Sequence, residues 1–245
     1  MRALVRVPVR LLRMLAHLAR GLWIIRARFP VMEHAEREAA VQAWACRMLE
    51  CIGVELQVRG SVPMVGPVLL VSNHISWLDI LVLHAARHCR FISKADIAHW
   101  PLVGTLATAA GTLYITRESR RDALRVVHHM ADCLRAGDVL AVFPEGTTGD
   151  GSAVLPFHAN LLQAAIATDV PVVPIGLKFL NARTALPSYA PCFIGDDTLV
   201  GSVWRTLCAK DLVAVVQFGA AQHSGGRDRR SWATNLREMV VALRD

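Results

Sequence analysis

Apolar residues along this chain follow two spacings, one of about 3.6 residues and one of continuous short runs, and their succession predicts the architecture. From Glu33 the helical spacing holds through EHAEREAAVQAWACRMLECIG and gives way to a strand near Val54 to Val58. VGPVLLVSN is valine-rich and ends on a polar pair, as a buried strand does. SWLDILVLHAARH returns to helical spacing and CRFISK to strand; ADIAHWPLVGTLATAAG then leads to the short β-rich run TLYITR. RRDALRVVHHMADCLRAGD is an amphipathic helix stopped by Gly137, with buried strands following in VLAVFPEG and VPVVPIGLKF. Strands alternating with helices predict an α/β fold: a single layered domain with a mainly parallel or mixed sheet flanked by helices. Residues 181–245 carry no readable motif; SGGRDRR reads as a turn and the last helix as ordinary packing.

The first 30 residues follow another pattern. At about 100° per residue, Arg2, Arg6, Arg10, Arg13 and Arg20 fall within an arc of roughly 80°, opposite Leu4, Leu11, Met14, Leu15, Leu18 and Leu22. Pro8 either starts the regular helix or kinks it. The longest uncharged stretch, Met14 to Ala19, is far short of the about 20 residues that a membrane span needs. Residues 1–30 therefore predict a basic amphipathic helix in the membrane interface, arginines among anionic headgroups, with residues 31–245 as the folded domain. An Arg-rich organelle transit peptide and a helix docked on the protein's own surface share this composition. A secretory signal is excluded because arginine interrupts every candidate apolar core.

Charge sharpens this division. The net charge is +7, and residues 1–30 hold seven arginines and no acid, so the remainder is formally neutral. Basic residues without interleaved aromatics, on a neutral body, argue against nucleic acid. A hydrophobic content of 53% predicts a well-filled core. The six cysteines form no CxxC pair and read as buried free thiols of a reducing compartment. His84 and His88 have the i, i+4 spacing of metal ligands beside Cys89, but no acidic base accompanies them, and the helix should carry histidines on a polar face anyway. No metal site is predicted.

Polar clusters sit where the predicted strands end: SNHISWLD after VLLV, TR after LYI, and PEGTTGDG after VLAVF. The first raises a choice. Ser76 followed by Asp79 fits a capping box, whereas His74 and Asp79 fit a base and its orienting carboxylate. On one regular helix, residues five apart would lie about 140° from each other. The pair works only with His74 in the loop before the helix and Asp79 in its first turn, leaning back toward the N-terminus.

Taken in order, these motifs resemble those of the glycerolipid (lysophospholipid) acyltransferase family. Asn73-His74 with Asp79 matches the first motif, GTLYITR at Gly111 to Arg117 the second, FPEGT at Phe143 to Thr147 the third, and VPVVPI at Val170 to Ile175 the fourth. The resemblance covers roughly residues 40–180. It implies transfer of a fatty acyl group from acyl-CoA or acyl-carrier protein to the free hydroxyl of 1-acyl-sn-glycerol-3-phosphate, with the thioester as substrate and no cofactor. His74 would be the general base and Asp79 its partner. Asn73, Arg117, Glu145, Gly146, Thr147 and Lys94 would serve the acceptor, Arg117 on its phosphate. Lys94 reads equally as an exposed lysine. After FPEGT, His158 and Asn160 replace a lysine and a glycine common in the family, and GTTGDG resembles the lyso-ornithine lipid acyltransferases. A lyso-ornithine lipid or other lysolipid acceptor is thus the alternative, and a non-catalytic membrane-lipid binding protein is the alternative of another class. The resemblance further implies a peripheral protein on the cytoplasmic face of a bacterial inner membrane, with membrane lipids and the acyl donor as partners and no oligomeric state specified.

Overall fold

A computed structural model describes residues 2–115 and 120–245. Its core is a seven-stranded sheet in the order β1-β7-β6-β2-β5-β3-β4. The strands are β1 Val54–Arg59, β2 Val68–Ser72, β3 Arg90–Lys94, β4 Leu113–Ile115, β5 Val139–Val142, β6 Val172–Asn181 and β7 Leu212–Phe218. All pairings are parallel except β6 with β7, so the sheet is mixed. β7 was not anticipated from the sequence, although LVAVVQF is as continuous an apolar run as the strands that were.

β2 explains the layering. All five of its residues are buried, and its pleat divides them between two cores. Val68 and Leu70 face helices α2 His34–Ile52 and α3 Leu78–Ala86, while Leu69 and Val71 face α5 Arg120–Arg135, α6 Leu162–Thr168 and α8 Arg229–Arg244. Leu70 lies opposite Ala141 of β5 and Val173 of β6, which sets the register at the sheet's centre. α4 Val103–Ala109 precedes β4, and α7 Leu199–Cys208 precedes β7.

Helix α1 runs from Arg2 to Ala27 straight through Pro8, so the proline does not begin it. It packs on α2, α4 and α7, and here the sequence reading is corrected. Leu11, Met14 and Leu18, placed on the lipid side, pack with Val7 against the protein's own core. Arg6 and Arg10 do not reach for headgroups: Arg6 donates to the carbonyl of Cys208 (2.9 Å), and Arg10 to Leu207 (2.9 Å), Ala209 (2.7 Å) and Gly53 (3.3 Å). These carbonyls end α7 and α2, where helix dipoles favour a cation. Burial and the nearby Arg6 lower the Arg10 pKa below the usual guanidinium value. His17 stacks on Trp44 with ring centroids 5.2 Å apart. At Gly21 an added Cβ would stand 2.5 Å from the indole nitrogen of Trp44, so glycine lets α1 lie close on α2. The face left outside shares only Leu15 with the leucines placed on the lipid side and adds Val5, Val9, Leu12 and Trp23, all exposed. No helix among the described residues is long and apolar enough to cross a membrane.

Candidate active site

The carboxyl ends of β2, β5, β3 and β4 lie along one sheet edge, where loops rather than strands carry the side chains. β2 ends at Ser72, and the next residue closes the ladder with its side chain. The Asn73 amide donates to the Leu177 carbonyl (2.9 Å) and accepts the Leu177 N–H (2.8 Å), copying a strand residue against β6. Asn73 is buried and both ends of its amide are used, so the expected contact with substrate gives way to a positioning role. It fixes the point at which the chain leaves the sheet and His74 begins.

His74 lies in the loop and Asp79 is the second residue of α3, the one arrangement in which the two can meet. They do: Asp79 Oδ2 accepts from His74 Nδ1 at 2.8 Å. The same oxygen accepts the N–H groups of Ile75 (2.6 Å) and Ser76 (2.9 Å). An ionised carboxylate only accepts, so Nδ1 carries the proton and the lone pair is left on Nε2. The capping alternative is realised by these same atoms, with the Ser76 hydroxyl accepting the Leu78 N–H (3.2 Å). Asp79 thus both starts the helix and orients the imidazole. Asp79 is fully buried, whereas the His74 side chain keeps 19% of its surface accessible.

Glu145 sets the backbone of the same loop. Its Oε1 accepts the His74 N–H (2.6 Å) and its Oε2 the Leu155 N–H (2.7 Å). Burial raises its pKa, against the lowering effect of these two bonds. With both oxygens engaged inside the protein, Glu145 is placed to support the acceptor site and not to contact the acceptor directly. Gly146 adopts φ +71°, a left-handed turn that favours glycine, and its N–H bonds to Phe143 (3.1 Å). The loop then returns: Gly149 N–H donates to the His74 carbonyl (2.8 Å), and His158 N–H to Pro144 (2.8 Å).

Sequence reasoning missed the groups that hold this loop. Arg237 of α8 donates to the carbonyls of Val154 and Leu155, and Arg244 to those of Gly151 and Ser152. On the opposite side the segment Pro191–Phe193 ties both motif loops together. Ser76 donates to Pro191, Thr148 to Phe193, and the Phe193 N–H to the Ile75 carbonyl (3.2 Å). These partners lie far away in sequence and have no local signature there.

Phe143 stacks on the His74 ring, with centroids 4.0 Å apart and planes within 9°. Phe91 stacks behind it at 5.6 Å and meets His84 edge-on at 5.0 Å. His84 and His88, placed on a polar helix face from the sequence, are instead buried. Desolvation and then the neighbouring His88 push the His84 pKa down to about 3. Among the described residues no group of His, Cys, Asp and Glu is disposed to hold a metal ion.

Lys94 ends β3 on the same edge and is exposed, opposite Ile115 of β4. Thr147 is exposed beside Gly146. Arg117 lies outside the described residues. His158 and Asn160 are exposed, as are His128 and His129. All six cysteines are free; four are buried, but Cys46 is partly accessible and Cys208 exposed, contrary to the uniform burial expected.

A histidine held by a buried carboxylate at the carboxyl edge of a mixed sheet is an arrangement suited to general-base chemistry, and sequence comparison names the family. The chain belongs to the acyltransferase family, whose model matches residues 53–178. The lyso-ornithine lipid O-acyltransferase of Pseudomonas aeruginosa is 34% identical over 244 residues, covering 97% of this chain and 93% of the relative. The 1-acyl-sn-glycerol-3-phosphate acyltransferase of Neisseria gonorrhoeae is 34% identical over 212 residues, covering 84% and 81%. The crystal structure of the 1-acyl-sn-glycerophosphate acyltransferase of Thermotoga maritima has a similar fold, with a TM-score of 0.64 at 18% identity over 94% of each chain.

Proposed function

We propose that the protein transfers a fatty acyl group from a thioester, acyl-CoA or acyl-carrier protein, to the free hydroxyl of 1-acyl-sn-glycerol-3-phosphate, giving phosphatidic acid. The contact of His74 Nδ1 with Asp79 Oδ2 at 2.8 Å carries this reading, because it leaves Nε2 as a base in a partly open site. Nε2 takes the hydroxyl proton as the oxygen attacks the thioester carbonyl, and Asp79 stabilises the imidazolium that forms. The tetrahedral intermediate collapses with loss of the thiolate, which receives the proton from Nε2.

No acyl-enzyme is needed, and the nearby nucleophiles are poorly suited to form one. The Ser76 hydroxyl is engaged with Pro191 and Leu78. Burial raises the Cys89 thiol pKa, and that of Cys192 to about 11. Lys94, exposed on the same edge, supplies positive charge for the acceptor's phosphate, a role that the second motif also gives to Arg117, and Thr147 and Gly146 border it. The reaction needs no cofactor. The apolar outer face of α1 would rest on the bilayer, peripherally on the cytoplasmic face of a bacterial inner membrane.

A second acceptor, lyso-ornithine lipid, is favoured by one observation: the Pseudomonas relative of that name matches nearly the whole chain. Purified protein given a labelled acyl thioester with each lysolipid in turn tests both readings. Phosphatidic acid as the main product supports the first, acylated ornithine lipid the second, and neither product removes both.

A further inference from the structure

Helix α7 buries Ser202 and Thr206 together with Leu207, yet leaves two large apolar side chains outside: Val200 is 79% and Trp204 54% exposed. The inner polar face is fully used: Ser202 Oγ donates toward Pro191 (3.0 Å) and Cys192 (3.2 Å) and accepts the Trp77 indole N–H (3.0 Å). Trp77 lies between His74 and Asp79 in sequence, so α7 is fastened directly to the loop that holds the dyad. Among the described residues the outer face has no hydrogen-bonded partner of this kind. Val200, Trp204 and Cys208, four residues apart, form an exposed stripe along it.

We propose that α7 is a second lipid-contacting helix beside α1, and that its Val200–Trp204 face rests on an anionic bilayer. This rests on the acyltransfer reading for the choice of a lipid surface. Two observations favour a bilayer over a protein partner. First, the stripe adjoins the exposed apolar face of α1, because Arg6 and Arg10, flanked by the exposed Val5 and Val9, donate to the carbonyls of Cys208, Leu207 and Ala209 at the end of α7. Second, Arg13, Arg20 and Arg26 on α1 are exposed, matching anionic headgroups, whereas Arg205 on α7 is paired with Asp197. A tryptophan with aliphatic neighbours suits the headgroup–acyl boundary, where one end of the ring is apolar and the other wet.

The test compares the full-length protein with Val200→Glu and Trp204→Glu, both at exposed positions, with folding checked by far-UV circular dichroism. Binding is measured by sedimentation with vesicles of phosphatidylethanolamine and phosphatidylglycerol. Transfer is measured to lysolipid held in those vesicles and to a short-chain lysolipid kept below its micelle concentration. The proposal predicts that vesicle binding and transfer to vesicle-held lysolipid fall about tenfold, with transfer to the dispersed lysolipid unchanged. Unchanged binding to vesicles would overturn it. So would an equal loss on both substrates, which would make α7 a positioning element only, or loss of a lipid-independent dimer, which would assign the face to a second copy. If the parent protein acylates neither lysolipid yet binds vesicles through Trp204, the acyltransfer reading falls and the surface stands.

Discussion

Replacing Asp79 by Asn probes the dyad without changing its shape. One carboxylate oxygen holds three donors, His74 Nδ1 at 2.8 Å, Ile75 N–H at 2.6 Å and Ser76 N–H at 2.9 Å. Hydrogen bonds to a charged acceptor contribute about 1.5–3 kcal/mol, against about 0.5–1.5 for neutral ones, so exchanging the charge weakens the set by about 3 kcal/mol. The new amide must also put its NH2 where Oδ1 now lies buried with no hydrogen-bond partner. In the transition state the loss is larger, because the imidazolium then has no counter-charge. The analogous exchange in a serine protease triad lowers kcat about 10⁴-fold. We predict a fall in kcat of about 10³-fold or more, equivalent to about 4 kcal/mol of barrier, with a folded protein destabilised by about 2–4 kcal/mol. Initial rates at saturating acyl donor, alongside urea unfolding, separate the two effects. A folded variant with kcat within about tenfold of the parent would refute this reasoning.

Three further substitutions report on neighbouring parts of the account. Glu145→Gln leaves one acceptor where two N–H groups converge, and should lower kcat about 10–100-fold in steady-state assays with little change in far-UV circular dichroism. Asn73→Ala leaves the Leu177 N–H and carbonyl unpaired inside the protein, and should cost about 2–4 kcal/mol in urea unfolding. His84→Leu should reduce acid sensitivity. With its pKa held near 3, against an ordinary 6.5, His84 stays neutral when folded while the unfolded chain takes up a proton. Its contribution to stability is therefore full above about pH 6.5 and declines by about 1.4 kcal/mol per unit as pH falls toward 3, about 2 kcal/mol by pH 5. Between pH 7.5 and 5 the urea midpoint of the parent should fall more than that of the variant, and parallel curves would contradict the assignment.

Much of the fold is legible in the sequence because buried parallel strands are short apolar runs and their helices keep an apolar stripe. The dyad is legible as well, since only a loop-to-helix junction lets residues five apart meet, and Leu78–Ala86 begins where that requires. The face of α1 is not legible. Its apolar residues encircle much of the helix, and nothing local tells Leu11 and Leu18, which pack inward, from Leu12 and Leu15, which do not. The carbonyls that draw Arg6 and Arg10 inward belong to residues about 200 positions away, apart from Gly53. Asn73 and Glu145 stand in motifs whose residues invite a substrate-binding reading, yet their polar atoms are used on backbone groups of Leu177, His74 and Leu155. The unread residues after 181 turn out to supply β7, Arg237, Arg244 and the Pro191–Phe193 segment, each defined by a long-range contact.

The most direct measurement is acyl transfer by purified His74→Ala, scored as labelled product from an acyl thioester and a lysolipid at saturating concentrations. With the base removed and the fold retained, the rate should fall by about 10³-fold or more, toward the uncatalysed reaction. A folded variant that transfers the acyl group as fast as the parent would contradict the assignment of His74 as the base.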